Sequence, residues 1–310
     1  MAEKKKLTFM ILIRDSGWWK IGEVTQQTMA HEGFEVELSW TVREERIARV
    51  AKGEADYAVN ADYEVAWAYK GIGPYEGHAL PDLRAIAAIP HPNWHAFAVT
   101  SESRLTSIED IKEKKFPLRI YSPHATFGGR MGSGGFITDR LLEAYGFSRS
   151  DIESWGGKVW TSENGGNSVF REHNFDAMVY RAYPGYGPVG KFWQEATILN
   201  NLRFLPVASK VLDEMARKYG LLKGLMPRNL MRGVDEDVPT LYFPNFVVYT
   251  SKHMSEELAF TTAKSFDEHC AYFFETHLPF SYNPFLACKD TGTPLHPGAE
   301  RYYRSRGYIK

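Results

Sequence analysis

One stretch limits the possible folds more than any other. Residues 118–147, LRIYSPHATFGGRMGSGGFITDRLLEAYGF, read as a strand, a glycine-rich loop and a helix. Residues 118–121 are β-prone. Between Ser122 and Gly135 come five glycines, two serines, a histidine and an arginine. From Phe136 onward Ile137, Leu141, Leu142 and Tyr145 recur at helical spacing, and Gly146 is a stop signal. A loop of this kind leaves backbone N–H groups at a helix N-terminus, where the helix dipole favours an anion. Two readings stay open from this stretch alone: half of a carboxylate pocket, or an ordinary strand-to-helix turn. No Gly-Lys-Ser/Thr follows and no GxGxxG precedes, so a nucleotide fingerprint is absent.

The same strand–helix alternation runs through the chain. Residues 7–13 predict a first strand, followed by the loop Arg14-Asp15-Ser16-Gly17-Trp18-Trp19 and a helix over 20–31. Residues 34–40 alternate like a strand, 43–52 are helical, and 57–59 predict a strand leading to a helix over 62–69. Strands at 83–89 and 96–99 flank a turn at 90–94. Residues 181–190 are kept irregular by Pro and Gly, and 255–276 predict one long helix. This pattern means an α/β architecture. The extended runs 83–99 and 238–250 suit two strands crossing between two lobes. Residues 1–100 and 247–310 would form the lobe holding both termini, and 101–246 the inserted lobe. In such folds ligands sit beyond strand C-terminal ends and in the cleft between lobes.

Composition narrows the function. The 310-residue chain carries a net charge of −1, which excludes the basic excess of a nucleic-acid-binding domain. Eight Trp and seventeen Tyr suit either stacking on an organic ligand or a large aromatic core. The histidines are scattered; His91 and His95 lie four apart across Pro92, so no metal set is expected, nor any cofactor. Cys270 and Cys288 are either a disulfide or two buried thiols. The start MAEKKKLTFMILI is basic, but its apolar run is short, broken by Thr8, and followed by Arg14-Asp15. The expectation is therefore a periplasmic protein if a leader has been removed, and a cytoplasmic one if this N-terminus is native. No membrane anchor is expected.

The C-terminal LHPGAERYYRSRGY resembles the tail of the TAXI group of TRAP-transporter solute-binding proteins. GEADYAVNADYEVAWAYKG, LRAIAAIPHPNWHAFAV, SGGFITDRLLEAYGF, FDAMVYRAYPG and VPTLYFPNFVVYTSKHMSEEL are similar to that group in the same order along the chain. The resemblance implies a two-lobe type II periplasmic-binding-protein fold with two hinge strands and an interdomain cleft. It implies capture of a small organic anion and delivery to TRAP membrane subunits if the protein is exported, with no catalysis. The chain departs from the group in two cleft loops. Arg14-Asp15-Ser16-Gly17-Trp18-Trp19 replaces a Gly/Thr-rich loop, and His124 with residues 125–130 extends a short Gly-Ser-Gly turn. An aromatic or hydrophobic carboxylate would suit these changes and the nearby Tyr121, Tyr180, Tyr183 and Tyr186.

The candidate binding set follows. Arg14, Arg130 or Arg181 would pair bidentately with a carboxylate. Ser16, Asn60, Ser133, Gly134 and Asn164 would add hydrogen bonds. Trp18 or Trp19 would stack, and Asp15, Asp62, Tyr63, His124, Tyr180, Tyr183 and Tyr242 complete the lining. For each arginine the alternative is a surface ion pair. The competing function is a cytosolic, cofactor-independent decarboxylase or lyase of an aromatic acid. The 4,5-dihydroxyphthalate decarboxylase family offers an analogy in fold only. It would use His124 and Asp15, with Glu163, as acid and base groups, because an imidazole titrating near neutrality suits proton transfer.

Overall fold

The computed structural model describes residues 5–11, 16–40, 43–122, 126–127, 130–161, 171–172, 174–183, 188–276 and 282–310. In chain order the strands are β1 (Lys5–Ile11), β2 (Phe34–Trp40), β3 (Tyr57–Ala61), β4 (Leu83–Thr100), β5 (Arg119–Tyr121), β6 (Thr126–Phe127), β7 (Arg130–Met131), β8 (Lys158–Trp160), β9 (Ala177–Ala182), β10 (Leu202–Phe204), β11 (Leu222–Met226) and β12 (Val238–Ser251). The helices are α1 (Gly17–His31), α2 (Arg43–Ala51), α3 (Asp62–Lys70), α4 (Glu109–Glu113), α5 (Ser133–Ala144), α6 (Arg149–Ser154), α7 (Pro188–Leu199), α8 (Ser209–Tyr219), α9 (Glu256–Glu268), α10 (Ala271–Glu275), α11 (Pro284–Ala287) and α12 (Pro297–Ser305).

The chain forms two compact units, Met1–Pro92 with Pro244–Lys310, and Asn93–Phe243. In the first unit the strands run in the order β2-β1-β3-β12-β4, with β1 parallel to β2 and β3, and β12 antiparallel to β3. Its core joins Met10, Ile47, Val50, Val65, Leu83, Val247 and Tyr249. In the second unit the order is β4-β9-β5-β8. There β5 lies parallel to both neighbours and β9 antiparallel to β4, with β10 beside β4 and β11 beside β12. Its core gathers Trp94, Tyr121, Phe175, Met178, Phe192, Trp193 and Phe204. The parallel strands place the loops after β3 and β5 at strand C-terminal ends, where α/β folds bind ligands.

Several element boundaries differ from the sequence expectation. The turn at 90–94 is absent: β4 is one unbroken strand. Its prolines, Pro90 and Pro92, precede Trp94, where the ladder with β9 begins, so they remove no hydrogen bond from that side. Helix α1 opens at Gly17, because the Ser16 hydroxyl accepts from the Trp19 amide and caps it. Helix α5 starts at Ser133, three residues before the first apolar position, so the small residues of the loop form its first turn. The long C-terminal helix is two, α9 and α10, separated by His269 and Cys270. Pro188 opens α7, a position proline tolerates because its missing N–H has no helical partner there. Cys270 and Cys288 are free thiols, and the buried Cys288 donates to the Pro284 carbonyl at 3.3 Å.

Candidate functional site

The first unit builds a buried polar network around the end of β3. Asn60, the fourth residue of that strand, is fully buried. Its Oδ1 accepts from Arg46 Nη2 at 3.2 Å and from the Tyr249 hydroxyl at 3.0 Å. Its Nδ2 donates to Glu64 Oε2 at 2.7 Å, and the Tyr63 hydroxyl reaches Glu64 Oε1 at 3.4 Å. A neutral amide thus links a buried cation to a buried carboxylate, which low-dielectric interiors demand of charges they enclose. Asp62 closes onto protein groups too, accepting from the Tyr63 amide at 2.7 Å and from Asn245 Nδ2 at 3.1 Å.

The tryptophan pair divides. Trp18 is buried with its ring 5.7 Å from that of Phe246 and under the Arg46 guanidinium at 5.6 Å. Trp19 is half-buried and packs on Trp40 at 6.1 Å. Adjacent positions in a helical turn point about 100° apart, which is why the two find different neighbours. His91 stacks on the other partner of Trp18, Phe246, at 4.0 Å.

The second unit brings an arginine to a helix N-terminus. His95 on β4 and Arg181 on β9 are directly opposed cross-strand partners, so their side chains share one sheet face. Arg181 Nη2 donates to Ser133 Oγ at 3.1 Å, in the first turn of α5. The Arg181 guanidinium also lies 5.7 Å over the Phe243 ring. Gly132 is the N-cap of α5 and, having no side chain, does not itself cap the first-turn amides. Below lies His95, whose Nε2 is 3.2 Å from Thr138 Oγ1. Burial, and then the positive charge of Arg181, pull its imidazole pKa down to about 3.

Tyr180 belongs to the opposite face of β9, as strand alternation requires, and packs at 5.3 Å against Phe192, which also meets Tyr121 at 5.1 Å. Burial, then the nearby Tyr180, raise the Tyr121 pKa. Tyr242 is half-buried against Trp94 at 5.5 Å, and Tyr183, just beyond β9, is half-buried. The structure therefore assembles Arg181, Ser133 and Gly134, and separates Tyr180 from them. Ser16, Trp18, Trp19, Asn60, Asp62 and Tyr63 belong to the first unit. Arg14, Asp15, His124, Glu163, Asn164 and Tyr186 lie outside the described residues, as does the side chain of Arg130.

Sequence reasoning passed over Arg46, Glu64 and Thr138. Arg46 had a signal: it sits four residues before Val50, on the apolar face of α2 with Ile47, where a surface cation does not belong. Among the described residues no group of three His, Cys, Asp or Glu side chains is placed to hold a metal, and no helix is long and apolar enough to cross a membrane.

The model of the NMT1-like family matches residues 18–307. The chain belongs to the NMT1-like family. Its fold is the type II periplasmic-binding-protein class that the resemblance implied. XAC2383 from Xanthomonas citri, bound to ATP, is similar over 99% of this chain and 100% of its own, at 12% identity and a TM-score of 0.54. Lactococcal OpuAC in its closed-liganded conformation with glycine betaine matches at 15% identity, 99% and 100% coverage and a TM-score of 0.47. The periplasmic aliphatic sulphonate binding protein SsuA from Escherichia coli matches at 13% identity, 97% and 84% coverage and a TM-score of 0.46. At 12% identity the likeness to XAC2383 is one of fold.

Proposed function

We propose that this NMT1-like protein is a solute-binding protein of the TAXI kind, capturing a small organic carboxylate with an aromatic or hydrophobic body. One observation carries the reading: Arg181 is hydrogen-bonded to Ser133 in the first turn of a helix whose N-cap is Gly132. A planar guanidinium matches a carboxylate with two parallel N–H bonds, and a helix N-terminus adds amides and a favourable dipole. Phe243 beneath Arg181 supplies an apolar wall beside that charge. XAC2383, the neighbour of similar fold, has been captured with ATP and with chloride, both anions. If the chain is exported, its partners are TRAP membrane subunits in the cytoplasmic membrane. The residues a decarboxylase or lyase would need, His124, Asp15 and Glu163, lie outside the described part, so no observation favours that reading.

Calorimetric titration with benzoate, phenylacetate, hexanoate and glutamate, each paired with its neutral amide, tests this. The expected result is 1:1 binding of at least one acid, no heat from its amide, and the acid recovered unchanged. Binding of no acid, equal binding of acid and amide, or consumption of the acid overturns it.

A further inference from the structure

Beneath the Arg181–Ser133 pair is a short relay that the proposed carboxylate contact does not itself use. The Thr138 hydroxyl donates to the Gly134 carbonyl at 3.0 Å, so its one hydrogen is spent within the first turns of α5. Its oxygen must then accept from His95, which puts the imidazole proton on Nε2 at 3.2 Å. That leaves Nδ1 of the fully buried ring as a bare acceptor, with no hydrogen-bond partner among the described residues. The strand beneath is itself held: Thr240 Oγ1 donates to the His95 carbonyl at 2.6 Å. The Phe243 and His95 rings are perpendicular with centroids 6.5 Å apart, and the same phenyl ring underlies the Arg181 guanidinium at 5.7 Å. His95 therefore touches, directly or through one residue, each element that bears the candidate anion contact.

We propose that His95 is a positioning residue for anion binding: through Thr138 it clamps the first turn of α5 to β4, holding Ser133 Oγ where it accepts from Arg181 Nη2 and fixing the turn's amides so that they and the guanidinium donate to the same anion. The inference rests on the carboxylate reading above and adds a specificity element to it. A neutral imidazole suits the role. It donates to Thr138 and turns an uncharged lone pair, rather than a second cation, toward the interior that Arg181 shares. A leucine in its place would fill the volume and release the helix; a glutamine could reach Thr138 with a neutral N–H.

The test compares the full-length chain with His95→Leu, His95→Gln, Thr138→Val and the His95→Leu/Thr138→Val pair. Benzoate affinity is read by calorimetry, amide exchange at Gly134 and Gly135 by NMR, and the imidazole nitrogens by their shifts. His95→Leu and Thr138→Val should each weaken benzoate by about tenfold, the usual consequence of losing one buried hydrogen bond. The pair should be no worse than either single change, and His95→Gln should recover most of the loss. Exchange at the two glycines should follow the same order, and the nitrogen shifts should report a proton on Nε2 only. Additive losses, wild-type affinity in His95→Leu, or a proton on Nδ1 would each overturn the proposal. If the wild type binds no benzoate or other panel acid, the carboxylate reading fails by itself. The clamp is then judged on glycine exchange: faster exchange in His95→Leu and Thr138→Val, restored in His95→Gln, upholds it, and unchanged exchange refutes it.

Discussion

His95 shows how one buried side chain ties local chemistry to stability. Its ordinary pKa is near 6.5, and in the folded chain burial, with Arg181 beside it, pulls that down to about 3. The unfolded chain therefore binds a proton between those values that the folded chain refuses. Stability is fully present above pH 6.5 and falls as pH drops through that window toward 3, by an amount on the order of 5 kcal/mol. Urea unfolding from pH 7 to pH 4 should show this fall in the wild type and a flatter profile in His95→Gln; identical slopes would contradict the account. The link of His95 to Thr138 and Phe243 was not legible in the sequence, since they are 43 and 148 positions away (138 − 95 and 243 − 95). Arg181 and Ser133 were candidates because each lies beside a turn signal. Asn60 was legible as a polar residue at a strand end, but its bonds to Arg46, Glu64 and Tyr249 were not, because long-range pairing leaves no local trace.

At the scale of elements, alternation and punctuation were the reliable signals. Gly71 closes α3 at φ +67°, and Gly146 follows α5 at φ +79°, both where glycine marked a stop. Starts were harder, because the first turn of a helix carries little apolar pattern; α1 and α5 each begin three residues ahead of the start expected from sequence. The C-terminal motif that carried the family resemblance is explained by packing. His296 caps α12 by accepting from the Gly298 amide at 3.2 Å, while its Nε2 meets the Met254 carbonyl at 3.0 Å. Tyr302 and Tyr308 both donate to Asp267 of α9, and Tyr303 to the Ile86 carbonyl. Gly298 is required because a methyl group there would come within 2.0 Å of the Glu256 carbonyl oxygen. Gly298→Ala should cost about 3 kcal/mol, at the upper end of ordinary overpacking, since a backbone atom cannot step aside. A denaturation midpoint equal to the wild type would refute that role for the tail.

For the whole molecule, the fold class was readable because the order of strands and helices is a property of the entire chain and survives errors at single boundaries. The ligand was not readable in the same way. Anion contacts are few and come from residues on separate elements, as Arg181 on β9 and Ser133 on α5 do, so no single stretch spells out the ligand. What unites the account is one claim: the charge of Arg181 selects an acid over its neutral analogue. The decisive measurement is a calorimetric comparison of wild type and Arg181→Gln with the best-bound panel acid and its amide. The account predicts that the wild type prefers the acid by about a hundredfold or more, as a bidentate charged contact allows, and that Arg181→Gln, still folded, loses the preference. A folded Arg181→Gln protein that keeps the full preference for the acid would contradict it.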